Sequence, residues 1–320
     1  MKHGRFGLIG HPIAHSLSPA LFKAGYDGRY QYDLIETEDF EEAYERFLKD
    51  YDGINVTAPF KELAVRKADI LSEECRRIGA ANILIKTPEG IKAHNSDYLG
   101  VRQWLCDVAE GVKSTPPTSW APPPAARGVA RFSPPLPHHK ATVLIVGLGG
   151  AGKAAAAASH NLGYNLILMN RDISKAEVMA ARLGDLANGS NIIKVSPLTD
   201  FTECFREADI IIYNIPMAIP QWADLTDDDF RGITAGNDID MMEVCRKSDS
   251  ETACTCRPKV ILEANYKNPS FDKALKDRMI EANPNARYVS GETWLLYQAL
   301  TGYEILTGEQ PDLAKMAEVI

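Results

Sequence analysis

The stretch ATVLIVGLGGAGKAAAAASHNLGYNLILMNR, residues 141–171, decides the fold. It opens with an apolar, β-branched run from Thr142 to Val146, turns through Gly147, Gly149 and Gly150, and continues as an alanine-rich helix from Gly152 to Leu162. A second apolar run, Asn165 to Met169, completes a βαβ unit whose strands are apolar enough to be parallel and covered on both faces. Gly147 permits the tight turn, and Gly149 removes the side chain that would keep a pyrophosphate from the helix N-terminus. Small residues at Ala151 and Ala154 let the helix approach the sheet, and Gly152 holds the third glycine position of the dinucleotide pattern. A Walker A loop is excluded, because Lys153 lacks the preceding phosphate-loop spacing and a following Ser or Thr. The stretch therefore predicts a Rossmann-like dinucleotide-binding domain.

The end of the second strand sets the choice of dinucleotide. An acid there takes the ribose hydroxyls of NAD, whereas a cation takes the 2′-phosphate of NADP. The chain offers Asn170, Arg171, Asp172 and Lys175. The planar fork of an arginine directly after the strand favours NADP, and Asp172 keeps NAD open.

Working outward, the 320 residues suit two domains of ordinary size. Strands are expected at Arg5–Gly10, Tyr30–Ile35 and Gly53–Val56, with a helix over Glu38–Lys49 between the second and third. A helix from Lys61 through Leu71 follows, then another over Ser72–Gly79, a hairpin of Asn82–Thr87 with Gly90–His94, and a helix over Asp97–Glu110. These define a first α/β domain over residues 1–110, with mixed strand pairing expected. Residues 111–140 hold runs of proline and no acidic side chain, which predicts an insertion or linker. Residues 141–288 form the dinucleotide domain, with further strands at Ile192–Val195, Asp209–Tyr213 and, last, Val260–Ala264. Helices are expected at Asp200–Glu207, Asp240–Lys247 and Ser270–Asn283. Residues 289–320 hold a helix over Thr293–Tyr303 and another from Pro311.

Forty-three acidic against 35 basic side chains give a net charge of −8, which repels nucleic acid and anionic membrane. No secretory signal or membrane span is legible, so a cytoplasmic protein is expected. The six cysteines form neither a disulfide framework nor paired metal ligands, and no metal is expected. Monomer and homodimer are equally compatible with the sequence.

The first domain carries polar residues at its strand ends: Ser16 and Ser18, then Asn55, Thr57 and Lys61, then Asn82, then Asn95, Ser96 and Asp97. Each alone reads as a cap, a turn residue or a solvated side chain. Together they suggest a ligand site, since α/β folds present ligand groups at strand ends. A lysine supplies charge and a transferable proton, and a carboxylate beside it supports that charge.

These segments, GLIGHPIAHSLSP (7–19), NVTAPFK (55–61), GAAN (79–82), HNSD (94–97), GLGGAGKA and NRD, together with EANYKNP and GETWLLYQAL near the C-terminus, resemble those of the shikimate dehydrogenase family over nearly the whole chain. The resemblance implies NADP-dependent, reversible reduction of 3-dehydroshikimate to shikimate in chorismate and aromatic amino-acid biosynthesis. It implies Lys61 and Asp97 as catalytic residues and Ser16, Ser18, Thr57, Asn82, Tyr266 and Gln298 as substrate ligands. Gly147, Gly149, Gly150, Ala151, Asn170, Arg171, Lys175 and Gly291 would hold the cofactor, and the C-terminal helices would return to the substrate domain. The chain departs from the family's pattern at Ser96 for threonine, Tyr98 for glycine, Asp172 for threonine and Trp294 for methionine. Two other readings stand beside this one: an NAD-dependent quinate/shikimate dehydrogenase, and a nonenzymatic NADP-binding sensor or scaffold.

Overall fold

A computed structural model of the chain describes residues 4–109, 141–184, 191–231 and 258–320. In chain order the elements are β1 (Arg5–Gly10), α1 (Ser18–Gly25), β2 (Gln31–Glu36), α2 (Phe40–Asp50), β3 (Gly53–Val56), α3 (Lys61–Lys67), β4 (Ile70–Leu71), α4 (Glu73–Ile78), β5 (Ile83–Thr87), β6 (Gly90–His94) and α5 (Ser96–Ala109). After them come β7 (Thr142–Val146), α6 (Gly150–Asn161), β8 (Asn165–Met169), α7 (Ile173–Gly184), β9 (Ile193–Ser196), α8 (Phe201–Glu207), β10 (Ile210–Tyr213) and α9 (Asp227–Arg231). The last are β11 (Val260–Glu263), α10 (Lys273–Ala282), β12 (Arg287–Ser290), α11 (Gly291–Thr307) and α12 (Leu313–Ala317). Among the described residues the chain divides into two compact units, one holding residues 4–104 with Glu292–Ile320 and the other the remainder, up to Gly291.

The first unit is built on a mixed sheet of order β2-β1-β3-β5-β6-β4, in which β5 runs antiparallel to both β3 and β6. Alternation along β1 sends Phe6 and Ile9 to opposite faces. Ile9 joins Phe40, Phe47 and Ile54 in one core, while Phe6 joins Phe22 of α1 and Leu296, Leu300 and Tyr303 of α11 in the other. The C-terminal helix α11 is thus part of the first unit's own core.

The second unit holds an all-parallel sheet of order β12-β11-β10-β7-β8-β9. That order reverses between β7 and β10, the place where doubly wound sheets take their ligands. Residues 154–158 of α6, all alanine, are buried, so this helix lies close against its sheet.

Three expectations are corrected. The helix starting at Lys61 ends at Lys67 rather than running to Leu71. Residues Ile70–Leu71 instead pair in parallel with β6, and Asp69 locks the switch by accepting from Ile91 N–H at 2.7 Å through its side chain. An apolar run this short satisfies either period, and the neighbouring strand decides it. Val260–Glu263 is not the last strand, because β12 follows it beside β11. Helices α1 and α7 were not anticipated; α7 begins directly after Asn170, Arg171 and Asp172. The helix expected over 240–247 and the Pro-rich 111–140 segment lie outside the described residues. No helix of the described residues is long and apolar enough to cross a membrane.

Candidate active site

The polar strand ends of the first unit converge by topology. Ile9 of β1 lies opposite Val56 of β3, so the segments bearing Ser16, Ser18, Thr57 and Lys61 leave the sheet at the same end. Asn55 lies opposite Ile83, and Ile83 opposite His94, so Asn82 enters β5 and Asn95 leaves β6 at that end too.

Lys61 is the first residue of α3, and Asp97 is the second of α5. The Lys61 ammonium donates to Asp97 Oδ2 at 2.5 Å, with the two side chains 16% and 5% exposed. A helix N-terminus favours a negative charge in its first turn, which is where Asp97 stands. Two asparagines fix that turn. Asn95, fully buried, accepts from Tyr98 N–H at 3.0 Å and donates to the Ala80 carbonyl at 3.0 Å. Asn82 accepts from Ser96 N–H at 2.7 Å and donates to Ser96 Oγ at 3.1 Å. Asn82 therefore caps the helix that carries Asp97.

Glu74 of α4 braces the same junction, with Oε1 3.2 Å from His94 Nδ1 and accepting from Asn95 N–H at 3.4 Å. Burial alone would push its carboxyl up, but hydrogen bonds from His94 and Ser72 outweigh that and hold it below the usual range. A carboxyl lowered by folding stabilises the native state above its unfolded pKa, and that contribution disappears as pH falls through the native value. The urea midpoint of Glu74→Gln should therefore fall less than that of the wild type between pH 6 and pH 4. Equal acid slopes would remove Glu74 from this role.

Ser16 Oγ donates to Ser18 Oγ at 3.1 Å and accepts from Ser18 N–H at 3.2 Å, so the pair is one local unit at the start of α1. Two tyrosines that sequence reasoning missed sit against this region. Tyr303 of α11 donates to the Ser18 carbonyl at 3.1 Å, and Tyr32 of β2 donates to Asn55 Oδ1 at 2.8 Å. Burial pushes both phenols up, so they remain neutral donors. On one sequence they read as core aromatics, and nothing in their spacing marks them otherwise. Gln298 lies on α11 in this unit, whereas Tyr266 and Gly291 belong to the second.

In the second unit Gly147 adopts φ +90°, a conformation that L side chains rarely take, and donates to the Met169 carbonyl at 2.8 Å. A β-carbon on Gly152 would overlap the Gly147 carbonyl oxygen, so the third glycine is required by the turn itself. Gly149 is different: it caps α6 without any side-chain bond, and a β-carbon there would meet nothing within 4 Å. The protein's own packing does not demand that glycine. It leaves the amides of Gly150 and Ala151 at a helix N-terminus open to an anion, which fits a pyrophosphate. Asn170 steadies the turn by accepting from Leu148 N–H at 3.1 Å.

Arg171 and Lys175 are exposed beyond the end of β8. The Asp172 Oδ1 accepts from Ser174 N–H at 3.2 Å and from Ser174 Oγ at 2.7 Å, capping α7. The Ser174 hydrogen bond holds that carboxyl below its ordinary value. Among the described residues no group of three or more His, Cys, Asp or Glu could hold a metal ion.

A family model described as the shikimate dehydrogenase substrate binding domain matches residues 8–84, and one described as shikimate / quinate 5-dehydrogenase matches residues 131–218. The chain is 25% identical to shikimate dehydrogenase (NADP(+)) of Methanococcoides burtonii, over 98% of this chain and 96% of that protein. In fold it is similar to quinate dehydrogenase from Corynebacterium glutamicum, solved in complex with NAD, with a TM-score of 0.70 at 20% identity over 98% and 97% of the two chains. It is likewise similar to shikimate 5-dehydrogenase from Thermus thermophilus, solved with NADP(H) and shikimate, with a TM-score of 0.64 at 24% identity over 98% and 97%.

Proposed function

The chain belongs to the shikimate dehydrogenase family, and from that premise we propose that it reduces 3-dehydroshikimate to shikimate, reversibly and with NADPH, in chorismate and aromatic amino-acid biosynthesis. The observation that carries this reading is the 2.5 Å Lys61–Asp97 pair at the polar end of the first sheet. When bound, NADPH supplies the hydride that reduces the ketone. Negative charge then grows on the carbonyl oxygen, where Lys61 stabilises it and donates the proton. Asp97 orients the ammonium and takes a substrate hydroxyl. Ser16 and Ser18 hold the carboxylate, and Thr57, Asn82 and Gln298 contact the remainder, so that a substrate lacking a hydroxyl leaves them unpaired. We assign substrate binding and catalysis to residues 1–110 with 289–320, and the nucleotide to residues 141–288.

The amides after Gly147, at Gly149, Gly150 and Ala151, take the pyrophosphate, with Asn170 shaping the turn and Gly291 lying near the nicotinamide. Arg171 and Lys175 take the 2′-phosphate. The exposed Arg171 and Lys175 beyond β8 support NADP over the NAD-dependent quinate/shikimate reading. Arg171→Ala should raise the KM for NADPH by about tenfold or more, the scale of one charge-assisted hydrogen bond, and leave that for NADH nearly unchanged. An unaltered KM for NADPH would remove Arg171 from the clamp.

The direct assay is NADPH oxidation by the purified protein with 3-dehydroshikimate, run beside NADH and beside 3-dehydroquinate. Absence of turnover with every combination overturns the enzymatic reading in favour of a binding role. A cytoplasmic monomer or homodimer without nucleic-acid or membrane partners completes the proposal, and light scattering on the purified protein decides the oligomeric state.

A further inference from the structure

Trp294 stands where the family's pattern has a methionine, and the structure gives it a contact that methionine has no donor to make. Its indole Nε1–H donates to the main-chain carbonyl of Asp97 at 3.0 Å. Trp294 is 4% exposed, so this bond is made away from water. A carbonyl has two lone pairs and can accept the indole beside its helical partner.

The bond is part of a wider seam between α11 and the start of α5. At Gly100 a β-carbon would come within 2.6 Å of the Gln298 amide nitrogen, so the two backbones meet where no side chain fits between them. At Gly302 a β-carbon would come within 2.9 Å of Ser96 Oγ. Helix α11 thus lies on the first turn of α5 at residues 96, 97 and 100. The same turn is held from the other side by Asn82 and Asn95, at Ser96 N–H and Tyr98 N–H. The amides on both sides of Asp97 and its own carbonyl are fixed by side chains from outside α5. Its carboxylate, 5% exposed, accepts from Lys61 at 2.5 Å.

We propose that Trp294 is a positioning residue that sets the Asp97 carboxylate against the Lys61 ammonium through the main chain of Asp97. The inference rests on the catalytic reading of that pair, but its physical content, the tightness of the ion pair, is measurable without any substrate. Losing the indole N–H frees the α5 turn on one side, the pair opens more often, and Lys61 is held in place for a smaller fraction of time.

The experiment uses the full-length protein and the variants Trp294→Phe and Trp294→Met, which keep apolar bulk and lose the donor. First, acetic anhydride labelling of native protein followed by peptide mass spectrometry gives the modification rate at Lys61, with Lys67 as internal reference. We expect Lys61 to react several-fold faster in both variants, as local opening rises, and Lys67 to be unchanged. Second, kcat with 3-dehydroshikimate should fall about tenfold, the effect of one lost hydrogen bond, with the KM for NADPH unchanged. The same substitution in an Asp97→Asn background should cost less than twofold, because the group it positions is gone. Equal Lys61 labelling in wild type and both variants overturns the proposal. So does an equal loss of kcat in both backgrounds, which is the signature of general packing. If wild type lacks turnover, the function proposed above fails and the labelling alone decides the positioning role.

Discussion

Lys61→Ala is expected to lower kcat with 3-dehydroshikimate by two to four orders of magnitude, the usual worth of a positioned proton donor, while NADPH binding persists. Binding persists because Lys61 belongs to the first unit and the glycine turn to the second. Two effects are superposed and have to be separated. The first is chemical: no other ammonium is paired with Asp97 in the hydrogen bonds of the described residues. The second is structural, since the variant leaves a carboxylate that is only 5% exposed without its cation, a loss of about 3 kcal/mol or more for a buried pair. Lys61→Met keeps the stem and isolates the loss of charge, and Lys61→Ala combined with Asp97→Asn removes the orphaned anion. Turnover of the double variant should remain as low as that of Lys61→Ala, while its thermal midpoint recovers. The measurements are kcat at saturation, nicotinamide fluorescence titration and thermal unfolding. A kcat within tenfold of wild type would remove Lys61 from proton transfer.

Gly152→Ala and Gly149→Ala should separate stability from binding in the second unit. On Gly152 a β-carbon overlaps the Gly147 carbonyl oxygen and comes within 2.9 Å of its carbonyl carbon and 3.4 Å of Asn214 Nδ2. Gly147 cannot retreat, because its φ of +90° and its bond to Met169 define the exit from β7. Helix α6 cannot rise without uncovering the alanines packed on the sheet. We expect a loss of about 3 kcal/mol, at the upper end for overpacking, and NADPH affinity reduced by about a hundredfold or more as the turn distorts. Gly149→Ala places its methyl group in open space. Its thermal midpoint should match wild type, while NADPH affinity falls, because the methyl occupies the approach to the helix N-terminus. Unchanged affinity in Gly149→Ala would move the pyrophosphate away from that amide.

Much of this was legible in the chain. The dinucleotide unit was readable because its chemistry is local: glycines, apolar strands and a small-residue helix occupy 31 consecutive positions, 141–171. The pairing of Lys61 with Asp97 was approachable only through the resemblance, since 36 residues separate them and no periodicity joins them. What stayed hidden falls into two kinds. Strand β12 has four residues with a charged first member, and only its neighbour β11 makes it a strand. The second kind is polar side chains with two plausible tasks. Asn82 reads as a cap or, by the resemblance, a substrate ligand; Asp172 reads as the ribose ligand that keeps NAD open, while an acid at such a position can also cap a helix. In each case a partner chosen by tertiary structure, Ser96 for one and Ser174 for the other, assigns the capping task.

Helix α11 has one further consequence, for the order in which the chain becomes ordered during synthesis. Phe6 and Phe22 are made well over 250 residues before Leu296, Leu300 and Tyr303, which close the core they enter. The second unit, by contrast, ends at Gly291, and all six strands of its described residues precede α11. Domains fold as units when their sequence is complete, so the nucleotide-binding unit has the means to fold first and the catalytic sheet waits with one face bare. A chain stopped at Gly291 would carry Lys61 and Asp97 but lack the helix that covers the sheet behind them.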